Sequence, residues 1–151
     1  MKRRICIAIG IPLALGAFLL GIRLFHLGPL GVRPGDNVFL AQLLSTNGPQ
    51  FFVIGHRTEF VTEPWEVTLY KVEPDQKTFS YYLAFEDSYW WGCSISSNSY
   101  SGEVEIRSDG GLTARYIPTK DLVISDAYKV PIQARHADYA ELQALLGRSK
   151  R

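Results

Sequence analysis

The hydrophobic and polar positions of this chain fall into two regimes. From Ile5 to Ile22 no side chain is charged, and the residues are almost all aliphatic or small. From Asn37 onward the apolar residues come instead in short runs of aromatic and β-branched types, each stopped by a turn signal. The first regime predicts one continuous apolar helix, the second a series of strands.

The strand runs can be read off in order. "VFLAQLL" (38–44) ends at "STNGP", "QFFVIGHR" (50–57) near "TEP", and "WEVTLYKV" (65–72) at "EPDQK". "TFSYYLAF" (78–85) ends at "EDS" and "YWWGCSIS" (89–96) at "SNSYSG". "EVEIRS" (103–108) and "LTARYI" (112–117) flank "DGG", a hairpin signal, and "LVIS" (122–125) follows. Starts spaced by roughly 10–13 residues leave little room for helices and predict an antiparallel meander. Such a meander closes as a small barrel or a two-layer sandwich.

One short helix is expected near the end. In "DYAELQALLG", Asp138 and Glu141 fit a capping box, and Tyr139, Leu142, Leu145 and Leu146 fall largely on one face. Gly147 suits the position just past the helix. The expected class is therefore mainly β: an N-terminal transmembrane helix, then a small antiparallel barrel or sandwich of about seven to eight strands with one C-terminal helix. The expected divisions are a basic flank (1–4), an anchor or signal segment (5–27), a linker "GPLGVRPGD" (28–36) and a β-rich domain (37–151).

Charge sharpens the first regime. Of 16 Lys and Arg and 15 Asp and Glu, residues 1–36 hold five basic side chains against Asp36 alone, which leaves 11 basic and 14 acidic for the rest. A mildly acidic domain lacks the basic footprint of a nucleic-acid binder. A helix over 5–22 reaches about 27 Å at ~1.5 Å per residue, close to the bilayer's hydrocarbon thickness. No small-x-small cleavage pattern follows, so an uncleaved single-pass anchor is favoured over a signal peptide. Lys2, Arg3 and Arg4 outnumber Arg23 and Arg33, which places the N-terminus in the cytoplasm and the domain outside.

Alternation along the strands singles out an aromatic surface. Trp65, Val67 and Leu69 share one face with Phe79, Tyr81, Leu83 and Phe85 of the next strand, and Trp91, Cys93 and Ile95 extend it. The opposite faces carry Tyr70, Tyr82 and Trp90 among polar residues. If the three strands are neighbours, these aromatics form a candidate binding surface, with His56 and Arg57 at a polar strand end.

Little else carries chemistry. Cys93 and His56 are a candidate thiol–imidazole pair, but the pattern turns Cys93 inward. Glu59/Glu63, Glu86/Asp87 and Glu103/Glu105 are carboxylate pairs on which nothing else converges; Glu86 and Asp87 read as a turn. No histidine or cysteine spacing fits a metal site, so no metal, catalytic residue or cofactor is assigned. The expected function is that of a membrane-anchored binding or interaction protein with an exported domain. The membrane and another envelope or membrane protein are the expected partners, and nucleic acid is not. A small-ligand β-barrel is the alternative; an enzyme using Cys93 with His56, or the acids near 59–66, comes third.

Overall fold

The structure, a computed structural model, describes residues 16–21, 32–45, 48–59, 65–75, 78–87 and 92–148. Of the expected anchor over 5–27, only the helical turn at 16–21 lies among them. No helix among the described residues is long and apolar enough to cross a membrane. Trp90 and Trp91 lie outside the described residues.

Two antiparallel five-stranded sheets make up the domain. In chain order the strands are β1 (Asn37–Leu43), β2 (Gln50–Arg57), β3 (Trp65–Val72), β4 (Thr78–Asp87), β5 (Cys93–Ser97), β6 (Val104–Ser108), β7 (Thr113–Ile117), β8 (Leu122–Ser125), β9 (Ile132–Gln133) and β10 (Arg135–Asp138). The first sheet has the order β1-β2-β3-β4-β10, the second β5-β6-β7-β8-β9. Among the described residues no hydrogen-bonded strand pair joins the two sheets, and they pack against one another through a shared core. The "DGG" hairpin joins β6 to β7, with Gly111 at φ 95° where a side chain would be strained.

The core lies between the sheets. Phe51 and Val53 of β2, Val67 and Leu69 of β3, and Tyr82, Ala84 and Phe85 of β4 meet Val104, Ile106, Ala114, Tyr116 and Val123 of the second sheet. Each fully buried large apolar side chain contributes about 1.5–3 kcal/mol. The other face of the first sheet is also apolar at Phe52, Ile54, Val72 and Phe79 and needs its own cover. The C-terminal helix, Tyr139–Arg148, supplies it with Leu142, Leu145 and Leu146. This helix runs through Gly147 and Arg148, one residue past the expected stop.

Three expectations are corrected. β4 and β5 are not neighbours, because the chain changes sheets between them. Alternation along β4 breaks at Ala84: Val67 pairs with Phe85 and Thr68 with Leu83, so Ala84 is an extra, bulged residue. The bulge puts Tyr82 and Phe85 on the same inner face, although they are three apart, and sends Phe79 and Tyr81 to the outer face. Finally, the chain docks before Asn37. Val32 is buried against Val38 and Trp65, and the Arg57 guanidinium donates to the Val32 carbonyl. Gly35 N–H donates to the Arg57 carbonyl at 2.7 Å, and Arg57 N–H donates to that of Asp36 at 2.9 Å.

Candidate functional site

A groove of about 700 Å³ lies on the outer face of the first sheet. Its floor is made by rows of residues in register across the strands. One row is Asn37–His56–Glu66, running from β1 to β3, with Glu86 of β4 next in register but not among the lining residues. Further along come Thr68 beside Leu83, then Tyr70 beside Tyr81 and Arg135. Leu145 of the helix and the stretch from Tyr128 to Gln133 form the walls. The groove survives because the helix covers the apolar part of this face and stops short of the polar part.

His56 Nδ1 lies 2.9 Å from Asn37 Oδ1, within hydrogen-bonding distance of the amide oxygen. Glu66 stands directly opposite Glu86, an arrangement that is unfavourable for like charges in a sheet. Among the described residues neither Glu66 nor Arg135 takes part in an ion pair. The Tyr70 and Tyr81 rings lie 24° from parallel with centroids 5.9 Å apart. Burial, and then the Tyr81 phenol beside it, push the Tyr70 phenol up to about 12, so it is a neutral hydrogen-bonding group.

The residues expected on a binding surface do not stay together. His56 and Tyr70 line the groove. Tyr82 does not, since the Ala84 bulge turns it into the core. Arg57, only 7% exposed, donates to the Val32 carbonyl of the entering chain and is not among the groove's lining residues. Trp90 lies outside the described residues. Glu66, expected only as one of the acids near 59–66, enters the groove together with Thr68, Tyr81 and Arg135, which were not singled out. Tyr81 needed the bulge to be recognised, and Arg135 sits on a strand too short to leave a periodic signal.

Tyr82 belongs to a second constellation, at the other end of the sandwich. Asp121 Oδ1 accepts from the Tyr82 hydroxyl at 2.7 Å, the Tyr116 hydroxyl at 2.9 Å and Lys71 Nζ at 3.1 Å. Lys71 also pairs with Glu73 at 2.8 Å and lies 5.3 Å from the Tyr116 ring centre. Asp121 adopts φ 48° in the β7–β8 turn, a conformation that Asp tolerates better than most residues. A cavity of about 710 Å³ opens beside this cluster, among Leu43, Phe51, Val104 and Pro118.

Electrostatics give the cluster a structural role. Burial alone would lower the Lys71 ammonium, but bonds to Glu73, Tyr116 and Asp121 outweigh it and the net shift is upward. Burial and the Asp121 bond raise Tyr82, and burial leads the rise of Tyr116. Burial pushes Asp121 up, but its bonds to Tyr82, Tyr116 and Lys71 bring the net shift below its ordinary value. Every group is thus held in its resting protonation state, whereas an acid–base catalyst needs one poised near the working pH. The cluster pins β3, β4 and the β7–β8 turn together.

Cys93 packs against the inner core while His56 lines the outer groove, so the structure does not bring this pair together. Burial, followed by the nearby Asp87 and Asp109 carboxylates, pushes the Cys93 thiol up to about 12. Asp87 ends β4 instead of forming a turn, and accepts from the Ser108 hydroxyl at 2.8 Å. Glu105 and Glu103 pair with Arg107 at 2.7 Å and Arg115 at 4.0 Å; pairs this exposed contribute ~0–1 kcal/mol. His136 sits on β10 with Nδ1 3.0 Å from the Ser80 hydroxyl. Among the described residues no group of three or more His, Cys, Asp or Glu is placed to hold a metal ion. Comparison with protein-family models, curated proteins and solved structures finds no match to this chain.

Proposed function

We propose that this chain is a membrane-tethered binding protein and that the groove on the outer face of the first sheet is where its ligand sits. The observation that carries this reading is the groove's lining: Glu66, Thr68, Arg135, Tyr70 and Tyr81 face one open volume, and the fold does not use the two charges among them. The volume is within the ~300–1,000 Å³ common for ligand sites. The cavity beside Lys71 is of similar size, but its polar groups are committed to one another. The space between the sheets is filled by Phe51, Tyr82, Phe85, Ile106 and Tyr116, which favours a surface groove over an enclosed carrier cavity.

The tether follows from the uncharged run over 5–22 and the basic residues before it, and the domain projects on the side away from Lys2, Arg3 and Arg4. Docking of Val32 against Trp65 leaves only residues 28–31 between the expected span and the folded body.

Site-specific photo-crosslinking in intact membranes tests the reading. A crosslinker at Gln133, an exposed wall of the groove, is expected to give a defined adduct, and one at Ile124 on the far face of the second sheet is not. Equal or absent adducts at both positions contradict the proposal.

A further inference from the structure

We infer that the groove takes an uncharged oligosaccharide. This rests on the groove being the binding surface and goes beyond it by naming the ligand's chemistry.

The first consideration is charge. The lining holds one acidic and one basic side chain, Glu66 and Arg135. A polyanion or a polybasic segment would meet one attractive and one repulsive group, with no net field to draw it in. An uncharged ligand meets no such conflict and can still hydrogen-bond to both.

The second consideration is how polar and apolar groups are distributed. They are interleaved: Thr68 separates Glu66 from Tyr70 along β3, and Arg135 flanks Tyr81 in the neighbouring strand. An amphiphile with a separate head and tail needs the two kinds of surface segregated. A sugar needs them mixed, because each ring carries hydroxyls at its rim and an apolar C–H face. The C–H groups bear partial positive charge and meet the negative face of an aromatic ring favourably. Tyr70 and Tyr81 line the groove as a stacked pair, 24° from parallel and 5.9 Å apart, and supply aromatic surface beside its polar groups. Glu66, Gln133 and Arg135 each present two polar atoms in one plane, which suits a pair of adjacent hydroxyls.

The third consideration is length. Glu66 and Tyr70 are four residues apart on one strand, about 13 Å at ~3.3 Å per residue. Arg135 lies two strand spacings from β3, about 10 Å at ~4.8 Å each. Contacts spread over this diagonal span more than one sugar ring, so the ligand is a chain of at least two.

Isothermal titration of the purified full chain tests this, in a zwitterionic detergent because sugar-headed detergents would compete. The probes are hexasaccharides of β-1,4-linked glucose, β-1,4-linked N-acetylglucosamine and α-1,6-linked mannose, with a sulfated hexasaccharide as the charged control. At least one neutral probe is expected to bind, with little dependence on salt. Arg135→Ala and Glu66→Ala should each weaken binding by about tenfold or more, the loss of one hydrogen bond to a charged group. Thermal melts of both variants show whether they remain folded. Failure of all three neutral probes overturns the sugar assignment, as does tighter binding of the sulfated control. So does full binding by the folded Arg135→Ala and Glu66→Ala variants. If Gln133 still crosslinks while the sugars fail, the groove stands as the binding surface and only its ligand is wrong. If both fail, the groove reading falls with it.

Discussion

The Tyr82 hydroxyl donates to Asp121 at 2.7 Å and so ties the middle of β4 to the turn between β7 and β8, two elements in different sheets. Tyr82 is fully buried, and its bond leaves Asp121 part of a four-residue cluster with Tyr116 and Lys71. Tyr82→Phe removes one hydrogen bond to a charged acceptor and should lower stability by about 1.5–3 kcal/mol. Denaturant unfolding measures it. A loss below half a kcal/mol, on the order of a neutral surface change, would show that the cluster holds nothing together.

The same cluster sets a dependence on acid. Asp121 titrates below its ordinary 3.8 when folded, so its contribution is present above that value and is lost as the pH falls through the lower, folded one. Thermal melts between about pH 5 and pH 2 should show a decline that is shallower in Asp121→Asn. Parallel curves for the two proteins would contradict the assignment.

How far the sequence carried can be seen strand by strand. β2 matches the expected 50–57 residue for residue, because its apolar run lies between a proline turn and a polar break. β9 and β10 were not foreseen, since strands of two and four residues are too short for a period to register. The Ala84 bulge has no signature in "FSYYLAF", so alternation put Tyr81 inside and Tyr82 outside, the reverse of what the structure shows. The Asp121 cluster joins residues 39 and 50 positions apart, and only the folded topology brings them together. His56 and Tyr70 could be singled out because both are polar-tipped residues on predicted strands. Arg135 could not, because the crossover that returns the chain from the second sheet to the first leaves no pattern.

One side chain, Arg57, reaches across to hydrogen-bond the entering chain. Arg57→Ala removes the donor to the Val32 carbonyl, and an unsatisfied buried carbonyl costs about 1–3 kcal/mol. Subtilisin, which cuts most exposed peptide bonds, should then cleave near Val32 and Arg33 well before the rest of the domain is digested. An unchanged digestion pattern would mean that Val32 stays docked without Arg57.

Cys93 should be inert. With its thiol pushed up to about 12, almost no thiolate exists at neutral pH, and in a Cys6→Ser chain a maleimide should react far more slowly with the folded protein than with the unfolded one. Equal rates would place Cys93 in an open site.

With Cys6 replaced by serine, an inert Cys93 leaves an added cysteine as a clean reporter, and this gives the most direct test of the groove. Gln133→Cys lines the groove, and Ile124→Cys lies on the far face of the second sheet. The measurement is the rate of labelling by a membrane-impermeant maleimide, in intact cells and again on the purified chain. An exported domain with an occupied groove predicts that Ile124→Cys labels equally fast in both settings, while Gln133→Cys is slow in cells and fast once purified. A Gln133→Cys rate that is the same in cells as after purification, relative to Ile124→Cys, would contradict the claim that this groove holds the ligand.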